Sequence, residues 1–210
     1  MNIPIVTDEE KEILQELMNI AFGKASADLA EFININVVLS VPYIDVLKSS
    51  DLPDYLKNEV KGNDQVSIIE QKYWGKFKGD ALLIFPSETA NELITVLDPD
   101  RDLAYESDHA DMLERESLLE VGNILVGACV GKMAELLKGQ VTYTAPRMIL
   151  DNAPIGDLCK NQISPNSSVI MLKTTFKFNE RDADGFLFLL TSYDSIDWLK
   201  KALREFMEQY

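Results

Sequence analysis

The 210-residue sequence predicts an α+β fold that is internally duplicated, with two long helices packed on a largely antiparallel sheet in pseudo-twofold symmetry. Two observations lead there. The order helix, strand, loop, two strands, helix is written twice along the chain. At an offset of 104 residues the copies also align without a gap: Glu12 with Glu116, Leu14 with Leu118, Glu16 with Glu120, Asn19 with Asn123, Ile20 with Ile124, Gly23 with Gly127, Ala30 with Ala134, Glu31 with Glu135, Val37 with Val141 and Pro42 with Pro146. These are ten identities in 31 positions, where ordinary residue frequencies give about two by chance.

Each element has a local reason. Thr7 opens TDEE, a capping box, and a helix is expected from Asp8 to about Phe32. Ile35 to Val41 is strand-like, Pro42 closes it, and a polar loop with a short helix in LPDYLKNEV follows. VSIIEQKYW and GDALLIF read as strands joined at KFKG, and ETANELITVL as a helix after Pro86. The charged connector DPDRDLAYESD leads into a second long helix, about Ala110 to Leu137. VTYTA is then a strand ended by Pro146, with a loop holding Pro154, Gly156 and Pro165. SVIMLKTTFKF and GFLFLLTS are strands, and DSIDWLKKALREFMEQY is a closing helix. The expectation is one domain, 1–210, made of two repeats at about 7–98 and 110–210.

Composition narrows the function classes. A chain 46% hydrophobic and 26% charged is ordinary globular material. A net charge of −15 with no basic stretch argues against nucleic acid and anionic membrane surfaces as partners. The N-terminus lacks the basic and apolar regions of a leader, and the best apolar run, Ile124 to Val130, is too short to cross a bilayer. Cys129 and Cys159 are isolated, so a reducing cytoplasm is the simplest setting. The single histidine, His109, makes neither a zinc site nor a triad.

Weaker signals have plainer readings. Gly122, Gly127, Gly131 and Lys132 lack phosphate-loop spacing and read as packing. Trp74, Phe77, Trp198 and Phe206 read as core or edge aromatics, and Lys200 with Lys201 as solvated surface. Asp98, Asp100 and Asp102 lack the glycine and closing glutamate of a calcium loop.

The informative feature is the repeated helix face. At 100° per residue, Glu12, Glu16, Asn19 and Gly23 fall in one narrow stripe, as do Glu116, Glu120, Asn123 and Gly127. Opposite lie Ile13, Leu14, Leu17, Ile20 and Ala21 in one copy, and Leu118, Val121, Ile124, Leu125 and Cys129 in the other. Glycine inside a helix costs about 1 kcal/mol relative to alanine, and asparagine is also a poor interior choice. A solvated face accounts for one such stripe, and common descent or a close helix crossing for some of the repetition. Recurrence of both poor helix formers at a fixed distance from a proline points instead to a use. A bare glycine beside the polar pair leaves room for another molecule.

Glu16, two residues, Asn19, twenty-two residues, Pro42, then Glu120, Asn123 and Pro146 at the same spacing, resembles the signature of the CheC, CheX and FliY family of chemotaxis phosphatases, and CheC most of all. The resemblance implies a CheC-like fold and hydrolysis of the phosphoaspartate of a CheY-like response regulator. It places Asn19 and Asn123 on the attacking water and Glu16 and Glu120 on the regulator's lysine. It implies no cofactor or metal of the protein's own, since the regulator supplies Mg²⁺. Two pairs separate the chain from CheX, in which one pair is expected. Glu12 and Glu116 depart from the Asp or Ser usual four residues before the motif glutamate. A chain ending at Tyr210, without a further C-terminal domain, disfavours a flagellar switch component. The rival of another class is a non-catalytic adaptor that binds the receptor deamidase CheD.

The implied chemistry is mainly positional. Phosphoryl transfer needs an in-line water and charge stabilisation. A carboxamide can accept from and donate to that water without repelling phosphoryl oxygens. A carboxylate beside them makes sense only with a cation opposite.

Overall fold

Thr7 and Glu10 start the first helix as a reciprocal cap. Glu10 N–H donates to Thr7 Oγ1 at 3.2 Å, and Thr7 N–H donates to Glu10 Oε2 at 2.9 Å. Two amides that a helix start leaves without partners are thereby satisfied. From this cap α1 runs over Asp8–Ile33. The computed structural model describes residues 6–33, 37–60, 65–87, 107–157, 168–178, 184–192 and 195–208. The order continues β1 (Val37–Leu39), β2 (Tyr43–Lys48), α2 (Leu52–Glu59), β3 (Val66–Gly75) and β4 (Gly79–Pro86). It then passes through α3 (Ser107–Leu136), β5 (Val141–Tyr143), β6 (Arg147–Ala153), β7 (Ser168–Phe178), β8 (Asp184–Ser192) and α4 (Ile196–Met207).

These eight strands form one sheet in the order β1–β7–β8–β4–β3–β5, with β2 also on β7 and β6 also on β3. Each of these pairings is antiparallel. At the centre β4 meets β8 with Leu83 opposite Leu187. Tyr73 faces Gly79 in one half as Phe176 faces Gly185 in the other, which maps Leu82 onto the facing Phe188, and the pseudo-twofold axis passes between that neighbouring pair. Each half then lends its first two strands to the other: β1 and β2 border β7, while β5 and β6 border β3.

The sheet separates two cores. On one face α1 and α3 bury Leu14, Leu17, Met18 and Phe22 with Leu118, Leu125, Val126 and Met133 against Ile69, Leu83, Leu172 and Leu187. On the other, Leu52, Leu56 and Val60 of the α2 segment cover Ile68, Ile84, Met171 and Phe188. Strand alternation makes this division, because successive side chains leave opposite faces.

Several expectations need correction. Pro42 and Pro146 do not end strand structure: β2 and β6 follow immediately, where loops were expected. The helix Arg115–Leu136 is long and apolar enough to cross a membrane by length and composition, contrary to the reading of a seven-residue apolar run. In this fold its apolar side chains are instead shared with α1 and the sheet. Lys200 is not free surface, since its ammonium pairs with Glu10 at 3.0 Å and ties α4 to the start of α1. Phe77 is buried and stacks on Trp198 at 5.5 Å, whereas Trp74 is exposed. The expected helix ETANELITVL, Asp98, Asp100, Asp102, Cys159 and Pro165 lie outside the described residues, as does the side chain of His109.

Candidate functional site

The motif helices turn their apolar arcs to the sheet, which fixes where the polar stripe points. Glu12, Glu16, Asn19 and Gly23 are exposed on α1, and Glu116, Glu120 and Asn123 are exposed on α3, with Gly127 half-buried. Both predicted pairs therefore sit at the surface, one per half. A methyl group added at Gly23 or Gly127 would meet nothing within 4 Å. A close helix crossing is thus not what these glycines serve. Gly122 differs, because an added methyl would lie 3.1 Å from the Ile69 side chain. Packing explains Gly122 and leaves the two motif glycines facing open space.

The motif proline now has a structural reason. Leu39 faces Phe176 and Tyr43 faces Lys173, so Ser40, Val41 and Pro42 stand opposite only Thr175 and Thr174. Likewise Tyr143 faces Tyr73 and Arg147 faces Glu70, so Thr144, Ala145 and Pro146 stand opposite Lys72 and Gln71. Each is a one-residue bulge, a place where a residue without an N–H costs the ladder nothing. In both, the first bulge residue still donates across the sheet, Ser40 N–H to Thr175 O at 2.9 Å and Thr144 N–H to Lys72 O at 3.0 Å.

The bulges are tied down differently. Beside the first, Thr174 Oγ1 donates to Ser40 O at 2.7 Å, and Gln15 Nε2 of α1 donates to Pro42 O at 2.9 Å. Beside the second, Gln71 Nε2 donates to Thr144 O at 2.9 Å and also to Asn123 Oδ1 at 2.8 Å. Tyr143 Oη reaches Gly127 O at 3.5 Å, and burial pushes its hydroxyl up to about 12, so it stays protonated at neutral pH. Asn19 has no hydrogen-bond partner among the described residues, nor do Glu16 and Glu120 have an ionic one. Sequence reasoning missed Gln71. Its signal was a glutamine at an inward position of β3, between Ile69 and Tyr73.

The strands at the two bulges differ as well. Val38, Val41 and Tyr43 are 64%, 60% and 52% exposed, and Val38 and Tyr43 alternate with Leu39 and Ile44, which pack in the core under α1, so they leave the sheet on its other face. The matching residues of the second half are Thr142, Ala145 and Arg147, and Arg147 is held to the buried carboxylate of Glu70 at 2.5 Å. Among the described residues no cluster of His, Cys, Asp or Glu is arranged to hold a metal ion. Each stripe offers a carboxylate and a neutral carboxamide one helical turn apart, over unobstructed space.

The chain is similar to known proteins in sequence and in fold. A family model described as the CheC-like family matches residues 9–44, which hold the first pair and its proline. The chain is 26% identical over 202 residues to a Bacillus subtilis protein named CheY-P phosphatase CheC, covering 94% of this chain and 95% of that one. The fold is similar to that of Thermotoga maritima FliY, with a TM-score of 0.71 and 15% identity over 96% of this chain and 99% of that one. It is also similar to the FliM middle domain of Vibrio alginolyticus, with a TM-score of 0.58 and 14% identity over 90% and 99% of the two chains. The chain is CheC-like in sequence and in fold.

Proposed function

We propose that this protein accelerates hydrolysis of the phosphoaspartate of a CheY-like response regulator. The observation that carries the reading is the pair of exposed Glu–Asn stripes, each beside a glycine that faces open space. The similarity to a protein named CheY-P phosphatase supports the same substrate class. In this reading Asn19 and Asn123 orient the attacking water, and Glu16 and Glu120 dock on the regulator's lysine. The regulator brings its own acyl phosphate and Mg²⁺, so the phosphatase contributes placement. The two repeats work as one domain, and the setting is the cytoplasm, where such a regulator acts. An adaptor for CheD, or a switch-associated component, has no evident use for two exposed carboxamides.

The test is phosphate release from a phosphorylated CheY-like regulator on adding the purified protein. Asn19→Ala with Asn123→Ala is expected to return the rate to the regulator's own decay, with an unchanged circular dichroism spectrum. Full stimulation by that double variant would refute the proposal.

A further inference from the structure

The two halves place different residues opposite their bulges, and the difference reaches one carboxamide. Thr174 and Gln71 occupy the equivalent place, each nearly fully buried at 1% exposure and each capping the carbonyl of the first bulge residue. A threonine hydroxyl ends there. The longer glutamine has a second N–H, and it goes to Asn123 Oδ1. The chain of contacts also fixes which way both amides face. Thr144 O can only accept, so the Gln71 atom beside it is the nitrogen; the Asn123 atom beside that nitrogen must in turn be the oxygen. Asn123 is left with Nδ2 and one oxygen lone pair for anything outside. The Gln71 oxygen itself is buried without a partner, a cost that an apolar residue at this place would not incur.

We propose that Gln71 is a positioning residue, which holds the Asn123 carboxamide in one of its two orientations and so preorganises the second half-site. The inference rests on the phosphatase reading for its consequence in rate, though not for its consequence in structure. Asn19 has no such restraint among the described residues and is free to exchange its oxygen and nitrogen. Preorganised groups avoid reorganising as the transition state forms, so removing the restraint acts on kcat and leaves KM alone.

Gln71→Thr copies the other half, where a threonine already caps the equivalent carbonyl, so the bulge keeps its cap. In an Asn19→Ala background, which isolates the second half-site, kcat is expected to fall about tenfold with KM unchanged. In an Asn123→Ala background the same substitution is expected to change nothing. A rate loss of equal size in both backgrounds would mark a merely structural role and overturn the inference. Independently of turnover, nitrogen-15 relaxation of the side-chain amides is expected to show Asn123 ordered and Asn19 mobile in the native chain, with Asn123 mobile in Gln71→Thr. Equal mobility of the two in the native chain would overturn the inference even where the phosphatase reading stands. Persistence of stimulation in the double asparagine variant would instead remove the phosphatase reading alone.

Discussion

The half-site on α1 and the half-site on α3 share a plan and differ in how it is held. Both expose a glutamate and an asparagine above a glycine, and both place a proline bulge beside the helix. In the first the asparagine stands alone among the described residues. In the second it is gripped by a buried glutamine. The two halves keep the same Glu–Asn pair and differ in what supports it. The polar grip favours placement, so the halves should differ in kcat.

That comparison can be broken in several ways. The largest effect is expected from filling the open space: Gly23→Leu should cut turnover at the first half-site on the order of 10²-fold, and Gly127→Leu at the second, by displacing the docked regulator. Neither should destabilise the fold, because leucine is the better helix former by about 1 kcal/mol and nothing lies within reach of the added carbon. Thermal melts beside single-site rates would check this, and a melting point that drops would mean the glycines do serve packing.

The smallest effect concerns the cap that starts α1. Burial raises the Glu10 pKa, but the Thr7 amide and Lys200 outweigh it, so the carboxyl lies below the ordinary glutamate range. Its stabilisation is therefore present above that range and fades as pH falls through the lowered value. Glu10→Ala, which removes the carboxylate and leaves the Thr7 hydroxyl in place, should cost about 1 kcal/mol in urea unfolding at neutral pH, with a smaller difference from the native chain in acid. Turnover at the second half-site should be indifferent to it.

Much of the fold was legible because its signals are local. TDEE specified a cap, the 3.6-residue periodicity specified the long helices, and repetition specified the symmetry. The loops expected after Pro42 and Pro146 were wrong because proline ends a strand on propensity alone, whereas a bulge accommodates it. Exchange of edge strands between halves was illegible, since alternation specifies a face and not a neighbour. The Glu–Asn pairs could be found from spacing within one helix. Gln71 could not be joined to Asn123, because their separation of 52 positions is bridged only once β3 and α3 are packed together.

The most direct measurement is a cycle of phosphate-release rates for the native protein, Asn19→Ala, Asn123→Ala and the double variant, on one phosphorylated regulator. The account predicts that each single variant keeps part of the stimulation, that the parts sum to the native value, and that the double variant has none. Native stimulation in the double variant, or complete loss in both single variants, would contradict two asparagine-centred half-sites working independently.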